Sequence, residues 1–242
     1  MTILVAPAGH AAARFACEKW HYSRCVPAGK LVKLGVWEDD RFIGVVLFSR
    51  GANSSLGSPY GLDQTQVCEL TRVALTKHHA PVTQIVADAL AILRRTNPGL
   101  RLVVSFADPE QGHHGGIYQA GGWIYTGVSG SADEYIVRGR RMHGRSARSY
   151  RKSHPRGGQS AASFLEWARA NVDPNAKVVP GSSKHRYLMP LDRGMRRRIQ
   201  RLALPNPPRV RSVDGTRQPS RLEGRVRPPQ DAPDAPHEGV AS

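Results

Sequence analysis

The sequence is poor in acidic residues and in cysteine, and it contains no long apolar run. Asp and Glu number 19 against 35 Lys and Arg, leaving a formal net charge of +16. Such an imbalance implies a polyanionic partner, or at least strong attraction to one. Composition does not decide among DNA, RNA and membrane. The lack of an amphipathic basic helix or a lipidation signal places membrane last. Three cysteines (Cys17, Cys25 and Cys68) are an odd count without metal-knuckle spacing. They fit a reducing compartment, and Cys68, in an apolar run, reads as a small buried hydrophobe. No stretch approaches the roughly 20 consecutive apolar residues of a membrane span. Arg14, Glu18 and Lys19 interrupt the N-terminal segment before a signal-peptide core is built. A soluble, cytoplasmic protein is therefore expected.

What is present suggests one α/β core. With 242 residues, 40% of them hydrophobic, a core of roughly 150–200 residues is affordable and a second full domain is not expected. Residues 8–20 read as a helix on which Phe15, Ala16 and Trp20 can share a face. The segments 31–37 and 41–50 flank Glu38-Asp39-Asp40 as a tight hairpin. VCELTRVAL (67–75) is the next strand, after a turn-rich loop. Pro81 opens a helix marked by Val82, Ile85, Val86, Ala89 and Leu93, and Asn97-Pro98-Gly99 stops it. LRLVVSF (100–106) is apolar enough for a central strand covered on both faces. A short helix around 112–120, a strand at 123–127, a helix at 160–170 and a strand at 185–191 complete the expected mixed sheet flanked by helices. The basic, Pro-rich stretch 192–242 is expected to be a disordered tail, since its Pro-, Arg- and Gly-rich part from about 205 lacks periodicity.

The densest polar cluster, SFADPEQGHHGGIYQAGGW (105–123), follows directly on the buried strand. Strand ends of this kind hold side chains rigidly yet open to a crevice. Ser105, Asp108, Glu110, His113, His114 and Tyr118 are the candidates there, with Gly112, Gly115 and Gly116 permitting close backbone approach. A Gly-rich turn with surface histidines is the plainer reading. His21 and Tyr22 end the first helix, where a histidine can simply face the last carbonyls; His78 and His79 read as surface residues. His21, Asp108 and His113 could form the two-histidine, one-carboxylate set suited to Fe(II), although no HxD or HExxH pair fixes that geometry. Arg138, Arg140, Arg141, Arg145, Arg148, Arg151, Lys152 and Arg156 form an acid-free block, the candidate phosphate-contacting surface for double-stranded DNA. A merely solvated basic face is the alternative.

Four segments carry a family resemblance: residues 20–52, 60–75, 101–127 and KHRYLMPL (184–191). Together they resemble the Mom family of phage DNA-modification proteins, over about residues 10–191. The resemblance implies a GNAT-like fold in a catalytic domain ending near 191. It also implies conversion of adenine in double-stranded DNA to an N6-carbamoylmethyl form that blocks restriction endonucleases. It places the active-site residues at His21, Tyr22, Ser105, Asp108 and Tyr118, with Trp123 at an acetyltransferase phenylalanine position. One departure bears on the donor. Acetyltransferases follow this strand with a Gly-rich phosphate loop, whereas here Lys77-His78-His79-Ala80-Pro81 follows. Lys77 and a helix N-terminus could hold phosphate, and Gly115 and Gly116 could approach a donor. The donor is thus an unidentified acyl or glycyl compound, with acetyl-CoA disfavoured and Fe(II) an open cofactor.

Adenine N6 is a weak nucleophile buried in the duplex, so base flipping is expected, with Trp20, Tyr22 and Tyr118 available for stacking. Asp108 or His21 would take or orient an N6 proton, and Ser105 or Tyr118 would serve the departing group. Two rivals remain at this level. An acetyl-CoA-dependent N-acetyltransferase of a protein or small amine needs the missing loop. A non-catalytic GNAT-shaped DNA-binding protein needs none of the polar cluster.

Overall fold

A computed structural model describes residues 1–51, 53–131, 133–157 and 163–208, without the side chain of Arg145. In chain order the elements are β1 (Ile3–Pro7), α1 (His10–Trp20), β2 (Leu31–Glu38), β3 (Arg41–Ser49), β4 (Val67–Leu75), α2 (Val82–Thr96), β5 (Leu102–Ala107), α3 (Gly116–Ala120), β6 (Ile124–Val128), β7 (Glu134–Val137), β8 (Arg140–His143), α4 (Gly144–Ser153), α5 (Phe164–Asn171), β9 (Lys177–Val179), β10 (His185–Pro190) and α6 (Arg193–Gln200). They cluster into two compact units. One comprises 1–107, 114–127 and the chain from 186; the other comprises 108–113 and 128–185.

The first unit is built on a seven-stranded sheet ordered β1-β2-β3-β4-β5-β10-β6. Strands β1 to β4 pair antiparallel with their neighbours, whereas β4 and β5 run parallel. This is the mixed sheet flanked by helices that the sequence leads one to expect. Its β3 is buried at every position after Arg41, as a strand covered on both faces requires. Opposite β2 the register shifts, and Gly44 takes φ +146°. A side chain at Gly44 would place its Cβ 2.0 Å from the Ala74 carbonyl oxygen, so glycine is needed where the bulge presses on β4.

The helices follow from their apolar stripes. On α2, Ile85, Val86, Ala89 and Leu93 recur at helical spacing and pack on one sheet face with Val46, Phe48, Leu70 and Val103. Full burial of a side chain such as Ile85 or Leu93 contributes about 1.5–3 kcal/mol. The helix stops where Asn97 turns its side-chain amide back to the Leu93 carbonyl at 3.1 Å. On the other face, α1 presents Ala12, Ala13, Ala16 and Cys17, small enough to lie close against Val45, Leu47 and Ala74. Further along that unit, α6 seats Met195 and Ile199 on Leu102, Val104, Ile124 and Leu188.

The second unit has its own three-stranded antiparallel sheet, β8-β7-β9, and an apolar centre of Val137, Ala147, Phe164, Trp167, Ala168 and Ala176. Ser163 and Glu166 close a reciprocal capping box at the start of α5. Trp167 donates its indole N–H to the Arg156 carbonyl at 3.0 Å.

Two expectations change. The single core becomes two, because the basic stretch 138–156 contains enough apolar residues, among them Met142, Ala147 and Tyr150, to help build a separate centre. The ordered chain also continues past 191. Asp192 caps α6 by accepting the Met195 N–H at 2.7 Å, and Met195 and Ile199 are fully buried. Residues 209–242 of the expected tail lie outside the described residues. Among the described residues no helix is long and apolar enough to cross a membrane. Met195→Ala is expected to destabilise the first unit by about 2–5 kcal/mol through the cavity it leaves. Urea unfolding checks this, and an unchanged midpoint would contradict a core role for α6.

Candidate active site

The site starts from a separation of strands. β4 and β5 pair at Val67↔Leu102, Cys68↔Val103 and Glu69↔Val104, and the pairing ends there although both strands continue. The next residue of β4 is Leu70 and the next of β5 is Ser105. Ser105 is fully buried, and its Oγ lies 3.0 Å from the Leu70 carbonyl and 2.8 Å from Tyr118 Oη. Serine has one hydroxyl proton. When it goes to Leu70, the Tyr118 phenol donates into Ser105 Oγ; when Tyr118 ionises, the same proton can turn to the phenolate.

Tyr118 lies on α3 and is 9% exposed. Burial pushes its phenol up to about 12, opposed by the Ser105 hydrogen bond and reinforced by the charges that Tyr22, Glu69 and Tyr187 acquire when ionised. At neutral pH it is therefore a buried proton donor. Its ring stacks on Tyr187 at 5.1 Å between centroids and meets Trp123 edge-on at 5.1 Å. Tyr187 is fully buried; its phenol donates to the His114 carbonyl at 3.3 Å and accepts from Gln119 at 3.1 Å. Gly115 takes φ +79°, and a Cβ there would lie 2.3 Å from the Tyr187 ring. That glycine makes room for an aromatic neighbour, a packing role. Gly116, expected beside it as a donor contact, is exposed with nothing within 4 Å of a built Cβ.

His21 and Tyr22 follow α1, with ring centroids 4.3 Å apart. His21 Nδ1 accepts the Ser23 N–H at 3.1 Å and lies 2.8 Å from Ser23 Oγ. Those partners assign the proton of the neutral ring to Nε2. Tyr22 is 50% exposed, unlike Ser105 and Tyr118.

Asp108 and His113 belong to the second unit. The Asp108 carboxylate pairs with Lys184 at 3.1 Å, accepts from Ser182 at 3.3 Å and caps the turn at Glu110 N–H at 3.1 Å. His113 is exposed, and its N–H donates to the Asp108 carbonyl. His21, Asp108 and His113 are thus divided between two units, and among the described residues no three His, Cys, Asp or Glu side chains are grouped so as to hold a metal ion.

The phosphate expected at Lys77 meets a different obstacle. Glu38, 3% exposed at the end of β2, accepts the backbone N–H groups of His79 at 2.9 Å and Ala80 at 2.8 Å, and the His79 ring nitrogen at 3.2 Å. These amides lead into α2, where a phosphate would seek donors. Lys77 is exposed, and its carbonyl accepts from Arg41 at 3.0 Å. The loop carries its own anion, so its amides do not fit a CoA pyrophosphate. Sequence reading placed Glu38 in the hairpin turn; the signal overlooked was an acid closing an apolar strand. Tyr187, within KHRYLMPL, was likewise missed, because a strand buried on both faces does not reveal which side chain meets the site.

The basic block of the second unit is less uniform than its sequence. Arg141 pairs with Glu134 at 2.5 Å and Glu110 at 3.2 Å. Arg138 donates through its backbone N–H to Asp173 and through Nε to the Val172 carbonyl. The Arg151 guanidinium lies 5.6 Å over the Trp167 ring. Arg140, Arg148, Lys152 and Arg156 are exposed, and the Arg145 side chain lies outside the described residues. Distant acids thus partly neutralise a run that has none of its own.

Sheet order, the parting of β4 from β5 and the buried serine–tyrosine pair define a mixed α/β protein with a polar pair set into its sheet. The family model described as the Mom protein family matches residues 2–208, and the chain belongs to that family. It is 27% identical over 191 residues to the methylcarbamoylase Mom of Escherichia phage Mu, covering 77% of this chain and 75% of that one. A solved structure of a tandem GNAT protein from the clavulanic acid biosynthesis pathway (without AcCoA) is similar with a TM-score of 0.37 and 8% identity. That match covers 67% of this chain and spans about half, 53%, of the other.

The Glu38 contacts generate a pH prediction. Hydrogen bonds from Ala80 and His79 pull its carboxyl down from 4.5 to about 2. A depressed carboxyl stabilises the fold in full above its ordinary value, and the contribution is lost as pH falls towards the folded-state value. Glu38→Gln should therefore melt below wild type near neutral pH, with the gap narrowing between pH 4.5 and about 2. Melting curves across that range check it, and a gap independent of pH would exclude the carboxylate's charge as the cause.

Proposed function

We propose that this protein modifies adenine in double-stranded phage DNA, placing a carbamoylmethyl group on N6 and so protecting the DNA from host restriction endonucleases. Membership of the Mom family over residues 2–208, with the phage Mu methylcarbamoylase among its relatives, carries this reading. The net charge of +16 supports a nucleic-acid substrate. The flipped adenine presents N6, at an unstacking cost of a few kcal/mol. The donor is an activated carbamoylmethyl compound, a glycinamide-like group attached to a leaving group. N6 forms a bond to the methylene carbon as the bond from that carbon to the leaving group breaks, and the leaving group takes the electron pair.

Tyr118 protonates the departing group, and Ser105 turns its own proton to the resulting phenolate. The proton released from N6 restores Tyr118, with His21 and half-exposed Tyr22 as the groups that guide it. One N6 hydrogen is thus replaced by CH2CONH2 and the leaving group departs protonated. Asp108, already engaged by Lys184 and Ser182, holds its segment of the second unit in place. The exposed Arg140, Arg148, Lys152 and Arg156 contact phosphate. The amides held by Glu38 weigh against the rival acetyl-CoA-dependent acetyltransferase.

Nucleoside mass spectrometry of DNA from cells expressing the chain should show adenosine gaining one C2H3NO unit. Unmodified adenine alongside soluble, folded protein would overturn the assignment. Tyr118→Phe retains the ring stack and removes the proton, so it should slow modification by about 100-fold or more while leaving the unfolding midpoint near that of wild type. Full activity in this variant would remove Tyr118 from the chemistry.

A further inference from the structure

The helix α6 has two very different sides. At about 100° per residue, Met195 and Ile199 point to one side and are fully buried. Arg193, Arg196, Arg197, Arg198 and Arg201 occupy the remaining arc, and all are exposed. Among the described residues none of the five forms an ion pair. The nearest acid in sequence, Asp192, already pairs with Arg101 at 2.9 Å and caps the helix. Like charges three and four residues apart repel one another, and Arg193 adds a cation near the positive end of the helix dipole. No ion pair among the described residues offsets this charge; only the carbonyl end of the helix, near Arg197 and Arg198, favours it.

An independent feature lies at the end of the same helix. Arg201 lines a cavity of about 440 Å³ together with Tyr60, Thr126, Arg186 and Leu202, and no Asp or Glu contributes to its lining. Arg186 is held in place there by Thr126, whose hydroxyl and carbonyl accept from it at 3.1 and 2.9 Å. One guanidinium is thus fixed, and Arg201, at the foot of an arginine-faced helix, lines the same cavity.

We propose that α6, with the cavity at its C-terminal end, is a phosphate-contacting surface for duplex DNA. The proposal rests on the reading of DNA as substrate and assigns the contact to a helix of the sheet unit, apart from the basic residues of the second unit. Arginine matches phosphate in charge and in forked geometry, and a helix with one buried edge offers those forks on a rigid support. Such contacts position the duplex without reading its sequence.

The test uses the full chain and duplexes of unrelated sequence, with affinity titrated across a salt series. Replacing Arg193, Arg197 and Arg201 by Gln should lower duplex affinity roughly tenfold or more. It should also reduce the slope of log affinity against log salt by about 0.9 for each phosphate that is no longer neutralised. Replacing the same three residues by Lys keeps the charge and should keep most of the slope. An unchanged slope in the Gln variant, with wild type binding duplex normally, would overturn the proposal and leave the adenine-modification reading standing. Failure of wild type to bind duplex at low salt would overturn both. Loss of affinity for single-stranded RNA alone would also overturn it, assigning the surface to RNA. A matched Arg148→Gln, Lys152→Gln variant measures the second unit's share separately.

Discussion

Two parallel strands that stop pairing while both continue leave backbone groups without ladder partners, and buried groups of that kind need replacements. In this protein β4 and β5 part after Glu69 and Val104, and Ser105 meets the first carbonyl beyond that point, that of Leu70. The serine solves a structural problem and thereby becomes the second partner of a buried phenol. Tyr118 can approach because α3 brings it back against the sheet. The polar pair at the centre of the candidate site is thus a consequence of how the sheet opens.

Once Ser105 and Tyr118 are joined, the surroundings must keep a large polar ring buried without letting it ionise. Tyr187 and Trp123 supply aromatic surface on two sides, and Gln119 and the His114 carbonyl satisfy the Tyr187 hydroxyl. Gly115 is the condition for that packing, since any side chain would strike Tyr187. Desolvation then does most of the work of holding the phenol protonated. The same arrangement that satisfies the core therefore sets the protonation state that a proton donor needs.

The legible parts of the sequence were those with strong period or strong punctuation. The α2 stripe, the apolar β3 and β5, and the hairpin around Asp39-Asp40 all stand where the sequence places them. Strand β1 was missed because five residues ending in proline carry little alternation. Helix α4 was hidden in GRSARSYRKS, where Ala147 and Tyr150 are the apolar anchors among cations. Helix α6 was hidden in the same way, with Met195 and Ile199 one turn apart inside an arginine run. The polar cluster after β5 was visible as a cluster, but its division was not. Ser105 and Tyr118 fall in the first unit, and Asp108 and His113 in the second. Long-range pairs such as Asp108 with Lys184, invisible in the local sequence, tie that part of the cluster to the second unit.

The same reasoning changes how the charge should be understood. An acid-free run looks like the most strongly charged surface in a sequence, yet Glu110, Glu134 and Asp173 reach Arg138 and Arg141 from outside the run. The arginines of α6 receive no such compensation among the described residues, although their sequence resembles the start of an unstructured tail. Net repulsion along a chain and unbalanced charge on a surface are different quantities, and it is the latter that attracts a polyanion. A folded helix with two buried residues holds its arginines at fixed spacing, so less conformational entropy is lost when they meet phosphate than if they lay on a free tail. The basic character of this chain is therefore best placed where the fold leaves it unbalanced and rigid.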